Sequence, residues 1–590
     1  MPVHYDDKFA RFTLETANTC YVMQILFDKY PVHLYYGKKD CHGGISYQNP
    51  YKSFSPYFDE HGLSYSPDIG MAEYSYFGSG DFRITPLRIK NKNGDSVTHF
   101  TYDGYRIFDG RMNLPRLPYS EADSDTQTLE LSLLDSVSGC SLKLFYTVFP
   151  NEDVISRYAL VENESGAPVT VEKIMSLMLD LPTSDFDMIS LYGAHNAERS
   201  FQRVPLFHGV QSVMSRRGAS SHQYNPFTAL CAKNATERDG DVYGFNFVYS
   251  GNFLSETEVD QTGFTRVSLG LGSENFNWLL EDGDSFITPE AVMTYSKNGL
   301  GGMSRNFHRF VRAHILPPEP FEKRPVVLNT WEACYFDIDE KEMLRFAKSA
   351  ADTGIDMLVM DDGWFGARNN DKAGLGDWYV NKNKFRDGLK SFVDRVKAYG
   401  IKFGIWIEPE MVNPDSDLYR AHPEWCIRCT DRNSTLSRNQ LVLDMSNRDV
   451  VEYLKKSFSD SFDGISIDYF KWDMNRHMSE VGSPALPPER QGETAYRYML
   501  GVYDLYRWFT KHFPGAMIEN CSGGGGRYDL GMMKYSTQIW TSDNTWPKKR
   551  MKIQYSSTLA YPTCTMSCHV SNPKNICKNH SKIIIFRLKK

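Results

Sequence analysis

Apolar and polar positions change their spacing about half-way along the chain. Over the first part the period is two. Leu129, Leu131 and Leu133, then Leu142, Leu144, Tyr146 and Val148, alternate with mostly polar neighbours, the pattern of strands with one face buried. Turn formers such as Asn93-Gly94-Asp95 and Asp239-Gly240 separate these runs, and few runs have a helical period. The spacing predicts a large antiparallel β-sandwich over 1–302.

Over 303–324 the pattern switches. Ser304 is placed to cap a helix carrying Phe307, Phe310, Val311 and His314 on one face, and Leu316-Pro317-Pro318-Glu319-Pro320 stops it. From Pro325 apolar strands alternate with amphipathic helices. The strand candidates are Val326–Leu328, Ile355–Met360, Ile401–Ile407, Gln440–Met445, Ile465–Phe470, Ala516–Asn520 and Thr537–Trp540, with an eighth near Met566. Helices between them end at Gly354 and Gly400, the second carrying Leu389, Phe392, Val393 and Val396 at helical spacing. This alternation predicts a (β/α)8 barrel over 325–570. A doubly wound sheet would place a Gly-rich phosphate turn after its first strand, and Asn329-Thr330-Trp331-Glu332 is no such turn. The remaining 571–590 read as a basic tail outside the barrel, with Lys574, Lys578, Lys582, Arg587, Lys589 and Lys590.

Composition narrows the function. The 590 residues are 41% hydrophobic and 24% charged, a globular balance with room for two or three domains. A net charge of −7 without a long basic run argues against nucleic acid as the partner. Asp6, Asp7, Lys8, Arg11 and Glu15 interrupt any signal-peptide core, and no apolar stretch is long enough for a membrane span. The 11 Cys are scattered and odd in number, which points to a reducing, cytoplasmic location. Cys426 and Cys429 have no second pair for zinc; neither metal nor cofactor is expected. The aromatic share of 14% fits sandwich cores first and sugar stacking second.

In a barrel of this kind, catalytic groups sit at the C-terminal ends of the strands. The predicted strand ends carry Trp331, Asp361-Asp362-Gly363-Trp364, Trp406-Ile407-Glu408-Pro409-Glu410, Lys471-Trp472-Asp473, Asn520-Cys521-Ser522-Gly523 and Ser542-Asp543-Asn544, with Arg438 just before the fourth candidate strand and Asp444 on it. One such Asp is commonly a helix cap; a whole rim of carboxylates and Trp is not explained that way. Carboxylates without a metal-binding motif, beside Trp, point to glycoside hydrolysis, which needs two carboxyl groups about the anomeric carbon. Spacing alone does not choose the pair among Asp361, Asp362, Glu408, Glu410, Asp473 and Asp543. Glu408 and Glu410 read as structural, and His422 and His477 as ordinary loop or core residues.

Four longer motifs narrow the choice. Leu358-Val359-Met360-Asp361-Asp362-Gly363-Trp364-Phe365-Gly366, Gly404-Ile405-Trp406-Ile407-Glu408-Pro409-Glu410, Tyr469-Phe470-Lys471-Trp472-Asp473-Met474-Asn475 and Trp540-Thr541-Ser542-Asp543-Asn544-Thr545 resemble the bacterial family 36 α-galactosidases. The resemblance covers about 20–570 and includes His33-Leu34-Tyr35-Tyr36-Gly37 and Gly80-Asp81-Phe82-Arg83. It implies that Asp473 is the nucleophile and Asp543 the general acid/base. It further implies that Asp361 and Asp362 bind the C4 and C6 hydroxyls of galactose, and that Lys471 and Arg438 hold ring hydroxyls. Trp331 and Trp406 would shape the pocket, Cys521 and Gly523 would lie near the C2 hydroxyl, and Asn475 would contact the sugar beside the nucleophile. The implied reaction is double displacement on melibiose and raffinose-type oligosaccharides, with the two carboxyls about 5–5.5 Å apart. Asp473 would be kept ionised by Lys471, and Asp543 would start protonated.

The resemblance also implies a homotetramer in which N-terminal loops of one subunit approach the site of another. Trp546-Pro547-Lys548-Lys549-Arg550 departs from the expected Asp-Ala helix start, and from Ser571 the match is expected to stop, leaving no length for a C-terminal β-domain. The competing readings are an α-N-acetylgalactosaminidase, a galactosyl-transferring enzyme, and a truncated, inactive sugar-binding remnant.

Overall fold

The computed structural model describes residues 1–39, 45–47, 54–58 and 64–569; the predicted tail over 571–590 lies outside these. In the first part the strands pair antiparallel. Val3–Asp6, Arg11–Glu15, Thr19–Leu26 and Tyr30–Lys38 form a four-stranded sheet, followed by sheets of six and ten strands. The two runs that alternate most clearly are neighbours: Gln127–Asp135 pairs with Cys140–Phe149, placing Leu131 opposite Leu144 and Leu133 opposite Leu142. Their side chains are buried, and such cross-strand apolar pairs are the unit of sheet stability. The Gly80–Arg83 motif is held by buried charges. Arg266 grips Asp180 through two nitrogens at 2.7 and 2.8 Å and reaches Asp81 at 2.7 Å, while Arg83 also donates to Asp81.

The connecting helix spans Gly299–Phe310 and buries Phe307 and Phe310, with Val311 and His314 following in a wider turn, Val311–Ile315. Its start corrects the expected cap at Ser304. Gly299 has φ +68°, and a Cβ there would lie 2.2 Å from the carbonyl oxygen of Thr236. Glycine therefore lets the chain turn into the helix before Ser304 is reached. Ser304 instead sits in mid-helix, and its Oγ donates 2.9 Å to the carbonyl of Leu559, tying the connector to the barrel domain.

In that domain seven parallel strands lie side by side in chain order: Val327–Asn329, Met357–Met360, Lys402–Ile407, Tyr469–Trp472, Met517–Asn520, Gln538–Trp540 and Met566–Ser567. Gln440–Met445 is not among them. The third strand pairs directly with Tyr469–Trp472, and Leu441–Val442 pairs antiparallel with Met411–Val412 in a small separate ribbon. Pro409 breaks strand three, and Arg438 and Asn439, with φ of 52° and 59°, turn the chain back. The predicted eighth strand near Met566 is thus the seventh. The predicted strand at Ile465–Phe470 begins only at Tyr469 and runs to Trp472. Helices Glu340–Asp352 and Gly388–Lys397 pack outside, followed by Gly354 and Gly400 at φ 74° and 79°. No helix among the described residues is long and apolar enough to cross a membrane.

Candidate active site

A cavity of about 640 Å³ opens at the C-terminal ends of the barrel strands. Every predicted site residue lines it: Trp331, Asp361, Asp362, Trp406, Arg438, Lys471, Asp473, Asn475, Cys521, Gly523 and Asp543. The strands deliver them in turn. Asp361 and Asp362 follow strand two, Trp406 is on strand three, Lys471 is on strand four with Asp473 just beyond it, Cys521 follows strand five and Asp543 follows strand six.

Asp473 accepts four hydrogen bonds. Its Oδ2 accepts from Asn475 Nδ2 at 2.7 Å and Trp406 Nε1 at 3.3 Å. Its Oδ1 accepts from the backbone N–H groups of Met474 at 2.9 Å and Gly523 at 3.1 Å. Arg438 Nη1 donates 2.6 Å to Asn475 Oδ1, which fixes the amide so that its Nδ2 faces Asp473. Gly523 is itself in the left-handed region at φ +50°, which turns its N–H inward.

Lys471 is oriented differently from the expectation. Its Nζ pairs with Asp361 Oδ2 at 2.8 Å, and the same oxygen accepts from Asn329 Nδ2 at 2.6 Å. Asp362 is clamped by Arg368, whose Nε and Nη2 lie 2.9 and 2.7 Å from its two oxygens. Burial still pushes the Asp362 carboxyl above the usual carboxylate range, against the pull of Arg368. Cys521 is buried, which pushes its thiol far up.

Asp543 stands apart from this group. Its Oδ1 accepts from Trp540 Nε1 at 2.9 Å, and its Oδ2 lies 3.0 Å from His195 Nε2, on a loop of the β-sandwich. Burial raises the pKa of Asp543, but the His195 hydrogen bond, the Lys471 charge and Trp540 together outweigh it and hold the carboxyl below its ordinary value. The following helix, Pro547–Ser557, begins with Pro in its first turn, a favoured place for it. Arg550 of that helix is buried and donates 2.6 Å to the carbonyl of Ser542. The departure at Trp546–Arg550 therefore keeps a regular helix start and a brace on the Asp543 loop.

With this geometry in view, comparisons with known proteins are direct. The model of the glycosyl hydrolase family 36 N-terminal domain matches residues 29–281, and the Melibiase model matches 285–588. This chain belongs to glycoside hydrolase family 36. It is 46% identical over 580 residues to the α-galactosidase AgaA of Geobacillus stearothermophilus, covering 98% of this chain and 80% of AgaA. Its structure is similar to that of the family 36 α-galactosidase AgaB from the same organism, with a TM-score of 0.95 and 45% identity over 99% of this chain and 81% of AgaB. An AgaA variant solved in complex with raffinose superposes with a TM-score of 0.94 at 45% identity, covering 97% of this chain and 80% of that one.

The rest of the family 36 site was less visible in the sequence. Glu410 is structural: Arg527 holds it at 2.7 and 2.9 Å, and Trp472 Nε1 and Tyr498 OH also donate to it. Glu408 is buried, and its Oε1 accepts from the backbone N–H of Asn475 at 2.6 Å. Burial and the nearby charge of Asp473 push its carboxyl up to about 8. His477 lines the cavity, with its pKa pushed down to about 3 by burial, whereas His422 stacks on Trp425 away from it. Among the lining residues that the sequence does not single out are His195, Arg217, His222 and Gln223 from the sandwich, and Glu332 and His569 from the barrel. Only Glu332 stood in a quoted strand-end motif; the sandwich residues stand on loops without periodicity.

Proposed function

We propose that this chain is a retaining α-galactosidase that releases terminal α-D-galactosyl groups from melibiose and from oligosaccharides of the raffinose series. The reading is carried by two carboxylates on one cavity with different surroundings. Asp473 accepts hydrogen bonds from four N–H donors at the barrel rim, and Asp543 stands beside a titratable partner. In the first step an Asp473 oxygen bonds to C1 while the C1–O glycosidic bond breaks, and Asp543 protonates the departing oxygen. In the second step water attacks C1, gives its proton to Asp543 and releases Asp473.

In this reading Asp361 and Asp362 accept hydrogen bonds from the axial C4 hydroxyl and the C6 hydroxyl. Lys471 and Arg438 hold ring hydroxyls, while Trp331 and Trp406 wall the ring. Cys521 and Gly523 stand near the C2 hydroxyl, and Asn475 contacts the sugar beside Asp473. A carboxylate set to accept the axial C4 hydroxyl loses that partner when glucose binds, which is how such a site rejects it. A homo-oligomer, tetrameric as in the family pattern, and a cytoplasmic location belong to the same reading.

Hydrolysis of p-nitrophenyl α-galactoside and melibiose by the wild type, and its loss in Asp473→Asn, tests the proposal. Unchanged turnover in that variant would remove Asp473 from its role.

A further inference from the structure

The acid/base is not supplied by the barrel alone. His195 lies on the loop 193–199, between the sandwich strands Phe186–Tyr192 and Ser200–Pro205, and that loop is bound into the chain around Asp543. Ser542 Oγ donates 2.6 Å to the buried Glu198, and Asn544 Nδ2 donates 2.9 Å to the carbonyl of Asn196. Arg199, also buried, donates 2.9 Å to the carbonyl of Gly525 and 2.5 Å to that of Thr541. Asn196 and Arg199 both have positive φ, 67° and 49°, a backbone that side-chain-bearing residues adopt at a cost. The loop is thus fastened to Ser542 and Asn544, on either side of Asp543, beside the contact between His195 Nε2 and Asp543 Oδ2, 3.0 Å long.

Resting on the α-galactosidase reading above, we propose that His195 and Asp543 form one proton-sharing pair, and that His195 is a positioning residue which sets the pH at which the acid/base is loaded. Asp543 alone meets the glycosidic oxygen. As C1–O breaks and the Asp473–C1 bond forms, that oxygen takes the one exchangeable proton of the pair through Asp543. The water that attacks in the second step returns a proton to it. Atoms and charge balance without a further reactant.

The surroundings allow both charge states. In the arrangement present, Asn196 Nδ2 lies 3.3 Å from His195 Nδ1, while Asn196 Oδ1 is buried without a partner. Turning that amide over, which leaves its shape unchanged, lets Oδ1 accept from Nδ1–H of an imidazolium. The hydrogen bond to Asp543 raises the pKa of His195; burial and the Arg438 charge oppose this, and Glu198 adds to it. His222 stands 5.6 Å away, ring to ring, with its pKa lowered by burial. On the other side, Asp543 faces Lys471, which favours its anion, and Glu332, whose carboxyl is pushed up by burial and by Asp543. His569 and Cys521, both buried, also feel its charge. Two groups coupled this closely titrate as a pair.

The test is the alkaline limb of the kcat/KM–pH profile for melibiose. His195→Gln keeps a donor for Asp543 Oδ2 but cannot titrate, so the limb is expected to fall by at least about one pH unit, toward the range of a lone carboxyl. Asn196→Asp places an anion beside Nδ1, and the limb is expected to rise. His195→Gln is also expected to lose more turnover on melibiose than on 2,4-dinitrophenyl α-galactoside, whose leaving group needs little protonation. A limb that stays in place in both variants overturns the pair, as does an equal loss on both substrates. A wild type without α-galactosidase activity overturns the functional reading itself, a separate result.

Discussion

Lys471 Nζ lies 2.8 Å from Asp361 Oδ2, both nearly buried on the wall of the cavity. The lysine follows strand order rather than chain proximity. It lies on strand four and reaches back to the end of strand two, while its chain neighbour Asp473 is held by neutral N–H donors. Removing one partner of a buried pair strands the other's charge. Lys471→Met and Asp361→Asn are each therefore expected to cost about 3–5 kcal/mol of stability and most of the activity. Thermal melts with and without galactose, beside steady-state kinetics, check both.

Discrimination between galactose and glucose should rest on Asp361, the partner of the C4 hydroxyl. A site built to pair with a hydroxyl rejects the epimer that lacks it there by about 10⁴–10⁵-fold. The ratio of kcat/KM for p-nitrophenyl α-galactoside over the α-glucoside should lie in that range. It should fall by at least ten-fold in Asp361→Asn, chiefly through a poorer galactoside. A ratio near one in the wild type would show that Asp361 does not read C4.

Asp543→Asn should reveal its role through the leaving group. General acid catalysis contributes about 10²–10⁴-fold, and a leaving group that departs without a proton escapes that loss in the first step. Melibiose turnover should drop by that factor, and 2,4-dinitrophenyl α-galactoside should be spared in the galactosylation step, which a pre-steady-state burst would display.

Glu408 makes a prediction about stability. Its folded pKa, about 8, lies above the ordinary carboxylate range. Stability gained by keeping it protonated is thus fully present below about pH 4.5 and is lost as pH rises through about 8. The protonated form has a partner in waiting. Gln440 Nε2 donates to Glu408 Oε2 at 3.0 Å, and Gln440 Oε1 is buried without a partner, so turning that amide over gives the Glu408 proton an acceptor. Glu408→Gln should raise the melting temperature near pH 8 and leave it little changed near pH 4.5. Equal melting shifts at both pH values would contradict this.

Much of this molecule is written in local pattern. Period two gave way to strand–helix alternation at the connector, and the strand ends carried the carboxylates and Trp that line the cavity. What pattern did not reveal has specific causes. Gln440–Met445 is as apolar as a barrel strand, and only the turn at Arg438 and Asn439 sends it into an antiparallel ribbon; an apolar run does not state its partner. Ser304 is a good cap, but Gly299 alone fits the entry conformation. The roles assigned to Asp473 and Asp543 came from motif resemblance, since spacing left six carboxylates open. His195 was invisible because its partner lies 348 residues away and nothing near it in the chain has a period.

The central claim is that Asp473 attacks the anomeric carbon in a retaining reaction. The most direct measurement is mass spectrometry of the wild type after turnover of 5-fluoro-α-galactosyl fluoride, a substrate that forms the glycosyl-enzyme and hydrolyses it slowly. The expected result is one added fluorogalactosyl group, mapped to the peptide containing Asp473 and absent in Asp473→Ala. An adduct on another carboxylate, or turnover to the β-anomer with no adduct, would contradict the account.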